Sequence, residues 1–167
     1  MNIKKNVRWS KSVRTITFFV TVAVIVALAI LCFEALSTQW GALILLTIIV
    51  IMTIFIYYTI KGPVSVEVKD GRLILNKIVG KLIIPLDGIE SATLYSRDKP
   101  DMRLVGSGGF CGYLGLFYNK QTGRYSSYVG DYSQAFLIIL KNGKKYVLSS
   151  QDSDAVVAAI NEKAGAA

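Results

Sequence analysis

The sequence predicts a two-helix transmembrane hairpin followed by an all-β, small barrel or sandwich of about seven to eight antiparallel strands, which a C-terminal α-helix caps. Three observations predict this fold class. Two long apolar runs without a charged residue occupy residues 16–33 and 40–60. From residue 63 onward, short stretches of alternating apolar and polar residues are separated by turn dipeptides. An apolar stripe at helical spacing lies near the end of the chain.

The first sixty residues are expected to cross a membrane twice. Helices over the two apolar runs would rise about 27 and 31 Å, close to the thickness of about 30 Å of a hydrocarbon core. We place the spans at about residues 16–36 and 40–60, within a hairpin that occupies residues 16–60. Residues 32–36 read Cys-Phe-Glu-Ala-Leu and contain no small-x-small pattern, so we expect an anchor that is not cleaved.

Charge predicts the orientation of this hairpin. Five basic residues precede the first span: Lys4, Lys5, Arg8, Lys11 and Arg14. The linker at residues 34–39 contains neither Lys nor Arg. The positive-inside rule therefore places the basic N-terminal segment, residues 1–15, and the C-terminal domain, residues 63–167, in the cytoplasm, with a multi-pass anchor in the membrane. The net charge of +8 is largely a topology signal, and we do not expect a nucleic-acid partner.

Aromatic and hydroxyl residues fit the same arrangement. Trp40 is expected at the outer membrane interface, with Trp9, Tyr57 and Tyr58 as anchors at the inner one. Threonines in or beside the spans are expected to return their hydroxyls to backbone carbonyls of their own helix. They are Thr15, Thr17, Thr21, Thr47, Thr53 and Thr59.

The C-terminal domain reads as a series of short strands. We predict strands at residues 64–69, 72–76, 81–84, 89–95, 113–118, 124–128, 135–140 and 144–149. Asp70-Gly71 and Asn142-Gly143 are typical of tight hairpin turns. The polar, glycine-rich stretch at residues 96–112 is expected to be a loop.

A helix is predicted to end the chain. Ser149 or Ser150 would cap it, and Asp152 and Asp154 would favour its positive N-terminus. Its apolar stripe consists of Val156, Val157, Ile160 and Ala164. Gly165 would end the helix.

This order of elements resembles the pleckstrin-homology (PH) superfold. Residues 81–92, Lys-Leu-Ile-Ile-Pro-Leu-Asp-Gly-Ile-Glu-Ser-Ala, are similar to a segment common in bacterial PH-like domains. The glycine- and aromatic-rich run at residues 103–117 and the later run at 143–149, with Asp152 after it, resemble motifs of one small bacterial PH family. The resemblance covers about residues 63–164 and implies a fold more than a function. It also implies a membrane tether, because members of that family often carry two N-terminal spans.

The glycine cluster is the candidate interaction motif of the domain. Its residues are Arg103, Gly106, Gly108, Gly109, Gly112, Tyr113 and Gly115. A phosphate cradle requires a helix after the glycines, whereas the next predicted element is a strand, so a nucleotide site is not favoured. The glycines are more typical of a sharp barrel corner or bulge, and a nest for an anion or a peptide terminus remains an alternative.

Basic residues next to this motif offer a second candidate site. Arg97, Lys99 and Arg103 are candidate lipid-facing residues, with Lys77 and Lys81 in support. Asp98 and Asp101 interrupt the cluster, and a solvated mixed-charge loop is the alternative interpretation. The PH resemblance does not extend to a dense basic first hairpin, where this chain has only Lys69 and Arg72, so phosphoinositide recognition is not expected.

Nothing in the sequence predicts catalysis. The chain has no histidine, which removes the commonest general base and metal ligand at neutral pH. Cys32 and Cys111 are expected to be free thiols, and their positions do not have metal-ligand spacing. Cys111 would be a nucleophile only beside a base. The tyrosines of the predicted strands are ordinary strand residues. We therefore expect no enzyme activity, cofactor, metal or small-molecule substrate.

These observations predict an interaction or scaffold module that contacts the bilayer through its hairpin and associates with itself. Another membrane protein is the other candidate partner. Two alternatives from different classes remain open. One is an accessory subunit of a membrane transporter or envelope-stress complex, and the other is a domain that senses anionic lipid.

Overall fold

A computed structural model describes residues 2–96 and 101–164, with side chains through residue 162. In this part of the chain, three α-helices and ten strands follow one another. They are β1 (Ile3–Asn6), α1 (Lys11–Ser37), α2 (Gly41–Ile60), β2 (Pro63–Lys69), β3 (Arg72–Lys77), β4 (Lys81–Pro85), β5 (Ile89–Leu94), β6 (Met102–Gly109), β7 (Gly112–Asn119), β8 (Gly123–Val129), β9 (Ala135–Leu140), β10 (Lys145–Ser149) and α3 (Ser153–Ala164).

The first two helices form the antiparallel hairpin that the apolar runs predict. Both are long and apolar enough to span a membrane, with a mean hydropathy of 2.9 over an 18-residue window of α1 and 2.6 over one of α2. Helix α1 begins before residue 16 because Ser10 caps it, its hydroxyl accepting the Val13 N–H at 3.2 Å. In α2, Thr47, Thr53 and Thr59 donate to the carbonyl four residues earlier, as predicted.

The strands form two sheets, and the domain is a sandwich. Strand order is β1-β2-β3-β4 in one sheet and β5-β9-β10-β8-β7-β6 in the other. All eight predicted strands are present, with ends within two residues of the prediction. Neighbouring strands are antiparallel except β8 and β10, which run parallel. After β8 the chain forms β9 two positions away in the sheet, and β10 then turns back, antiparallel to β9, into the position between them.

Two strands are present that the sequence does not predict. Strand β1 lies within the basic N-terminal segment and pairs with β2, Ile3 opposite Val68. Its Ile-Lys-Lys-Asn sequence has too little apolar character to indicate a strand. Strand β6 lies within the stretch predicted as a loop, where glycines hide the alternation. The prediction of a loop over residues 96–112 is therefore wrong for residues 102–109.

The main core lies between the sheets and α3. Val66 and Val68 from one sheet, Phe136 and Ile138 from the other, and Ile160 from α3 are all fully buried. The removal of these apolar side chains from water is the dominant favourable contribution to holding the sandwich and its helix together.

The last helix begins later than predicted. Ser149 ends β10, and its hydroxyl accepts the Gly130 N–H at 2.8 Å, so it does not cap α3. Asp152 adopts a left-handed φ of 56° and pairs with Lys5 at 2.5 Å, and the helix starts one residue later. Ala164 of the predicted stripe ends α3, but its side chain lies outside the described part.

Both apolar helices join the sandwich at the same end through short, bonded connections. Before α1, the Val7 N–H donates to the Val64 carbonyl at 2.7 Å, and the Ser10 N–H donates to the Gly130 carbonyl at 3.0 Å. The Trp9 indole N–H donates to the Pro63 carbonyl at 3.2 Å, linking both connections. The helices and the sandwich are therefore held in one arrangement.

Candidate interaction surface

The β6–β7 hairpin contains all seven residues of the candidate interaction motif. Gly106 lies opposite Gly115, with φ of 130° and 121°. A Cβ on Gly106 would lie 1.9 Å from the Leu114 carbonyl oxygen, and one on Gly115 would lie 2.2 Å from that of Val105. No L-residue fits there, so this glycine pair sets the local shape of the hairpin, in agreement with the corner or bulge interpretation.

The end of this hairpin, residues 109–112, rests on the apolar helices, and we call it the β6–β7 tip. The Thr17 hydroxyl of α1 donates to the Gly109 carbonyl at 3.4 Å and accepts the Cys111 N–H at 2.9 Å. A Cβ on Gly109 would lie 2.7 Å from the Ile16 side chain, so glycine allows the close approach. Thr17 thus bonds to another element, contrary to the prediction that it serves its own helix.

The side chains of the β6–β7 tip are packed against both helices. The Phe110 ring lies 5.1 Å, centroid to centroid, from the Phe55 ring of α2. Beside it, an apolar cavity of about 200 Å³ is walled by Phe110 and by residues of α1 and α2. Cys111 is buried, and burial raises the pKa of its thiol, which disfavours the thiolate that a nucleophile would need.

The remaining motif residues lie on one face of the hairpin. Arg103 is exposed and folds over Gly108, where a Cβ would lie 2.7 Å from the guanidinium. Tyr113, opposite Gly108, is half-buried, and its ring lies 4.8 Å from that of Tyr132. The motif is therefore brought together as one hairpin, but its residues do not converge on a single pocket.

The opposite face of the hairpin carries exposed apolar residues on the terminal strand of the larger sheet. Met102 is 61% exposed and Val105 is 67% exposed. They lie opposite Tyr118 and Leu116, which are 37% and 36% exposed. We call these four residues the β6 strip. Large apolar side chains on a sheet edge are typical of a surface that binds a partner.

A shallow groove separates the β6 strip from the end of α2. Its volume is about 120 Å³, and Tyr57, Tyr58 and Lys61 form its helical wall. The Lys61 ammonium lies 3.8 Å from the centroid of the Tyr57 ring and also contacts its hydroxyl. Val105 and Leu116 form part of the opposite wall, so the β6 strip lies directly across the groove from the end of α2.

The predicted interface anchors lie at both ends of the helical hairpin. Trp40 precedes α2 and is 61% exposed, while Tyr57 and Tyr58 lie at the other end of the same helix, next to the sandwich. Trp9 is half-buried at the junction with the sandwich, where its indole is bonded to Pro63.

The predicted basic site is described only in part. Arg97 and Lys99 lie outside the described residues. Arg103 is in β6, whereas Lys77 ends β3 and Lys81 begins β4, on either side of the β3–β4 turn at residues 78–80. The described part therefore places Lys77 and Lys81 on one hairpin and Arg103 on another.

A polar and aromatic cluster occupies the end of the larger sheet that is far from the helices. The Asp101 carboxylate accepts the Tyr95 hydroxyl at 3.0 Å and the Asn119 side-chain amide at 2.8 Å. Burial raises the pKa of Tyr95 and of Tyr125, which lies beside it, so both hydroxyls stay protonated at neutral pH. These hydrogen bonds connect the residue after β5, the residue before β6 and the last residue of β7 at this end of the sheet.

Several residues that build this region give no sequence signal. Thr17 and Phe110 lie in segments predicted as a span and a loop, and Gly130 lies in a predicted turn. A Cβ on Gly130 would lie 2.6 Å from the Arg8 carbonyl oxygen. Among the described residues, no group of three His, Cys, Asp or Glu side chains is placed to hold a metal ion.

The comparisons with known proteins identify the domain. The family model described as a bacterial PH domain matches residues 64–164, which is more than half of the chain. The two-sheet sandwich with its C-terminal helix fits the PH-like fold. Neither the comparison with curated proteins nor that with solved structures gave a match.

Proposed function

Because this chain belongs to the bacterial PH domain family, whose domains are generally non-catalytic binding modules, we propose that it is a membrane-anchored interaction module. Helices α1 and α2 are the anchor, and the sandwich presents the β6 strip to a protein partner. The length and apolar composition of the helices support the anchor. The exposure of the β6 strip beside α2 is the single observation that carries the interaction function.

In this proposal the sandwich lies in the cytoplasm at a bacterial inner membrane. The basic residues that surround the start of α1, together with Lys61 at the end of α2, support this orientation through the positive-inside rule. The Thr38–Trp40 linker, which has no basic residue, is then outside.

The partner that we propose is a second copy of the chain. Copies anchored in the same membrane stand at the same height and in the same orientation, so a two-fold axis along the membrane normal brings equal surfaces together. The β6 strip lies on the terminal strand β6 and its neighbour β7, and its apolar residues would be buried in such a dimer. Unpaired backbone groups of a terminal strand also favour pairing with a like strand.

The test is in-membrane crosslinking at native expression, followed by mass spectrometry of the captured species. Wild-type chain is expected to give self-adducts, and Val105→Glu is expected to abolish them by placing a charge in the interface. Ile83→Glu is the matched control, because Ile83 is 50% exposed on β4, the terminal strand of the other sheet. It should leave the adducts unchanged.

Two outcomes would overturn self-association. A chain that is strictly monomeric in mild detergent at micromolar concentration would exclude it. Capture of one consistent membrane protein, lost in Val105→Glu, would instead make the chain an accessory subunit that uses the same strip.

A further inference from the structure

The β3–β4 turn is bonded to the last residues of the second apolar helix. The Ile78 N–H donates to the Gly62 carbonyl, and the Val79 N–H donates to the Ile60 carbonyl, both at 2.9 Å. Ile60 is the final residue of α2. The turn itself is closed by the Lys77 N–H, which donates to the Gly80 carbonyl at 3.0 Å. These bonds fix the turn at the level where the apolar helix ends.

This turn presents aliphatic side chains where polar ones are usual. Ile78 is 47% exposed and Val79 is 59% exposed, at the two central positions of a hairpin turn that normally favours Gly, Asn or Asp. Neither residue belongs to the core clusters of the sandwich. Their exposure in water is unfavourable.

Two lysines flank the aliphatic pair. Lys77 and Lys81 stand on either side of it, and neither forms an ion pair within the described part of the chain. An aliphatic tip between cations matches the interfacial layer of a bilayer, where acyl chains lie below anionic headgroups. Because α2 ends at the membrane surface in the proposed function, the turn that is bonded to its last residue lies next to lipid.

We propose that the β3–β4 turn inserts Ile78 and Val79 into the interfacial layer of an anionic bilayer, with Lys77 and Lys81 at the headgroup phosphates. The inference rests on the proposed function, because it requires α1 and α2 to span the membrane. It assigns the turn a second contact with lipid, next to the helices, which fixes the tilt of the sandwich on the membrane surface.

The test measures probe depth in the full chain. Val79→Cys, in a background of Cys32→Ala and Cys111→Ser, is labelled with an environment-sensitive fluorophore and reconstituted in nanodiscs of phosphatidylcholine and phosphatidylglycerol. Brominated acyl chains should quench this probe. Lys120→Cys in the same background is the matched control, because it is exposed in the β7–β8 turn at the far end of β7. Its probe should not be quenched.

A third probe separates this inference from the proposed function. Native Cys32 in α1, labelled in a Cys111→Ser chain, reports whether the helices are in the bilayer. Quenching at Cys32 but not at Val79→Cys would overturn the lipid contact alone. Absence of quenching at both would overturn the anchor as well.

The lysines are tested by charge removal. Lys77→Gln with Lys81→Gln is expected to reduce quenching at Val79→Cys several-fold in the anionic nanodiscs. The reduction should disappear in pure phosphatidylcholine. An equal effect of the substitutions in both membranes would exclude headgroup recognition by the lysines.

Discussion

Two hairpin ends meet the apolar helices, and they do so in different ways. The β6–β7 tip reaches Thr17 and Phe55 and packs its own Phe110 and Cys111 against them. The β3–β4 turn is bonded to the end of α2 through its backbone and leaves its side chains exposed. The first end therefore depends on the identity of its residues, whereas the second depends mainly on its backbone.

The β6–β7 tip is therefore part of the packed structure, whereas the side chains of the β3–β4 turn form an exposed surface. At the β6–β7 tip, and at the Gly106–Gly115 pair further along the same hairpin, a side chain added or removed changes the packing of several elements. At the β3–β4 turn, a side chain can change without disturbing the core. Four substitutions test this contrast, in order of decreasing effect on the free energy of unfolding.

Gly115→Ala is expected to have the largest effect. Its Cβ would lie 2.2 Å from the Val105 carbonyl oxygen, in a backbone conformation that alanine rarely adopts. We expect a loss of about 3 kcal/mol or more from overpacking and backbone strain together. The measurement is thermal unfolding of the detergent-purified chain. Gly143→Ala, where φ is 79° and nothing lies within 4 Å, should cost only about 1 kcal/mol. Equal losses would contradict the proposed role of the close approach.

Thr17→Val is expected to release the β6–β7 tip. It removes the acceptor of the Cys111 N–H and the donor to the Gly109 carbonyl, for a loss of about 1 to 3 kcal/mol. Alkylation of Cys111 by N-ethylmaleimide in a Cys32→Ala chain reports the release as a faster rate. Thr53→Val is the control, because the Thr53 hydroxyl donates within α2. An unchanged rate in Thr17→Val would show that other contacts hold the tip.

The pH dependence of this alkylation has a definite sign. Burial raises the pKa of Cys111, so the folded chain should react only at pH values above those at which a free cysteine ionises. Thr17→Val should move the rate curve to lower pH. Because the folded state holds the proton more tightly, its contribution to stability is complete below the pKa of the unfolded thiol and is lost as pH rises through the folded pKa.

Gly80→Ala tests the backbone of the β3–β4 turn. Gly80 has a φ of 80° with open space around its Cα, so only the left-handed conformation is penalised. We expect a loss of about 1 kcal/mol by thermal unfolding. A loss as large as that of Gly115→Ala would remove the contrast between the two hairpin ends.

Val79→Ser is expected to have the smallest effect. Its side chain is 59% exposed and outside the core clusters, so the change in unfolding free energy should stay within about 0.5 kcal/mol. Leu75→Ser on the same hairpin is the control, because Leu75 is fully buried and should lose several kcal/mol. A large loss in Val79→Ser would mean that this turn also builds the fold.

The elements that can be predicted from the sequence are those whose residues carry a periodic pattern. The apolar helices, eight of the strands and α3 follow from hydrophobic spacing and turn dipeptides. Strand β1 is not predicted because two of its four residues are lysines and none is fully buried, and β6 is not predicted because its glycines lack the side chains that would show alternation. Contacts between distant segments, such as Thr17 with Gly109, depend on tertiary packing and leave no local pattern.

The interaction motif could also be predicted only in part, because its arrangement depends on how the strands pair. The glycines at 106 and 115 are unusual in the sequence, but their role as an opposed pair requires knowledge of the register. The β6 strip cannot be identified when β6 is predicted to be a loop, since exposure on one face has meaning only for a strand. The family resemblance supplied the domain type, which the family match confirms.

The pairing of strand β1 imposes an order on the folding of this protein. Residues 3–6 pair with residues 65–68, and both apolar helices lie between them in the chain. Residues 3–6 must therefore wait, unpaired, until the hairpin and β2 have been made. Completion of the smaller sheet thus follows synthesis of both apolar helices, and β1 can take its place beside β2 only after the helical hairpin has been made.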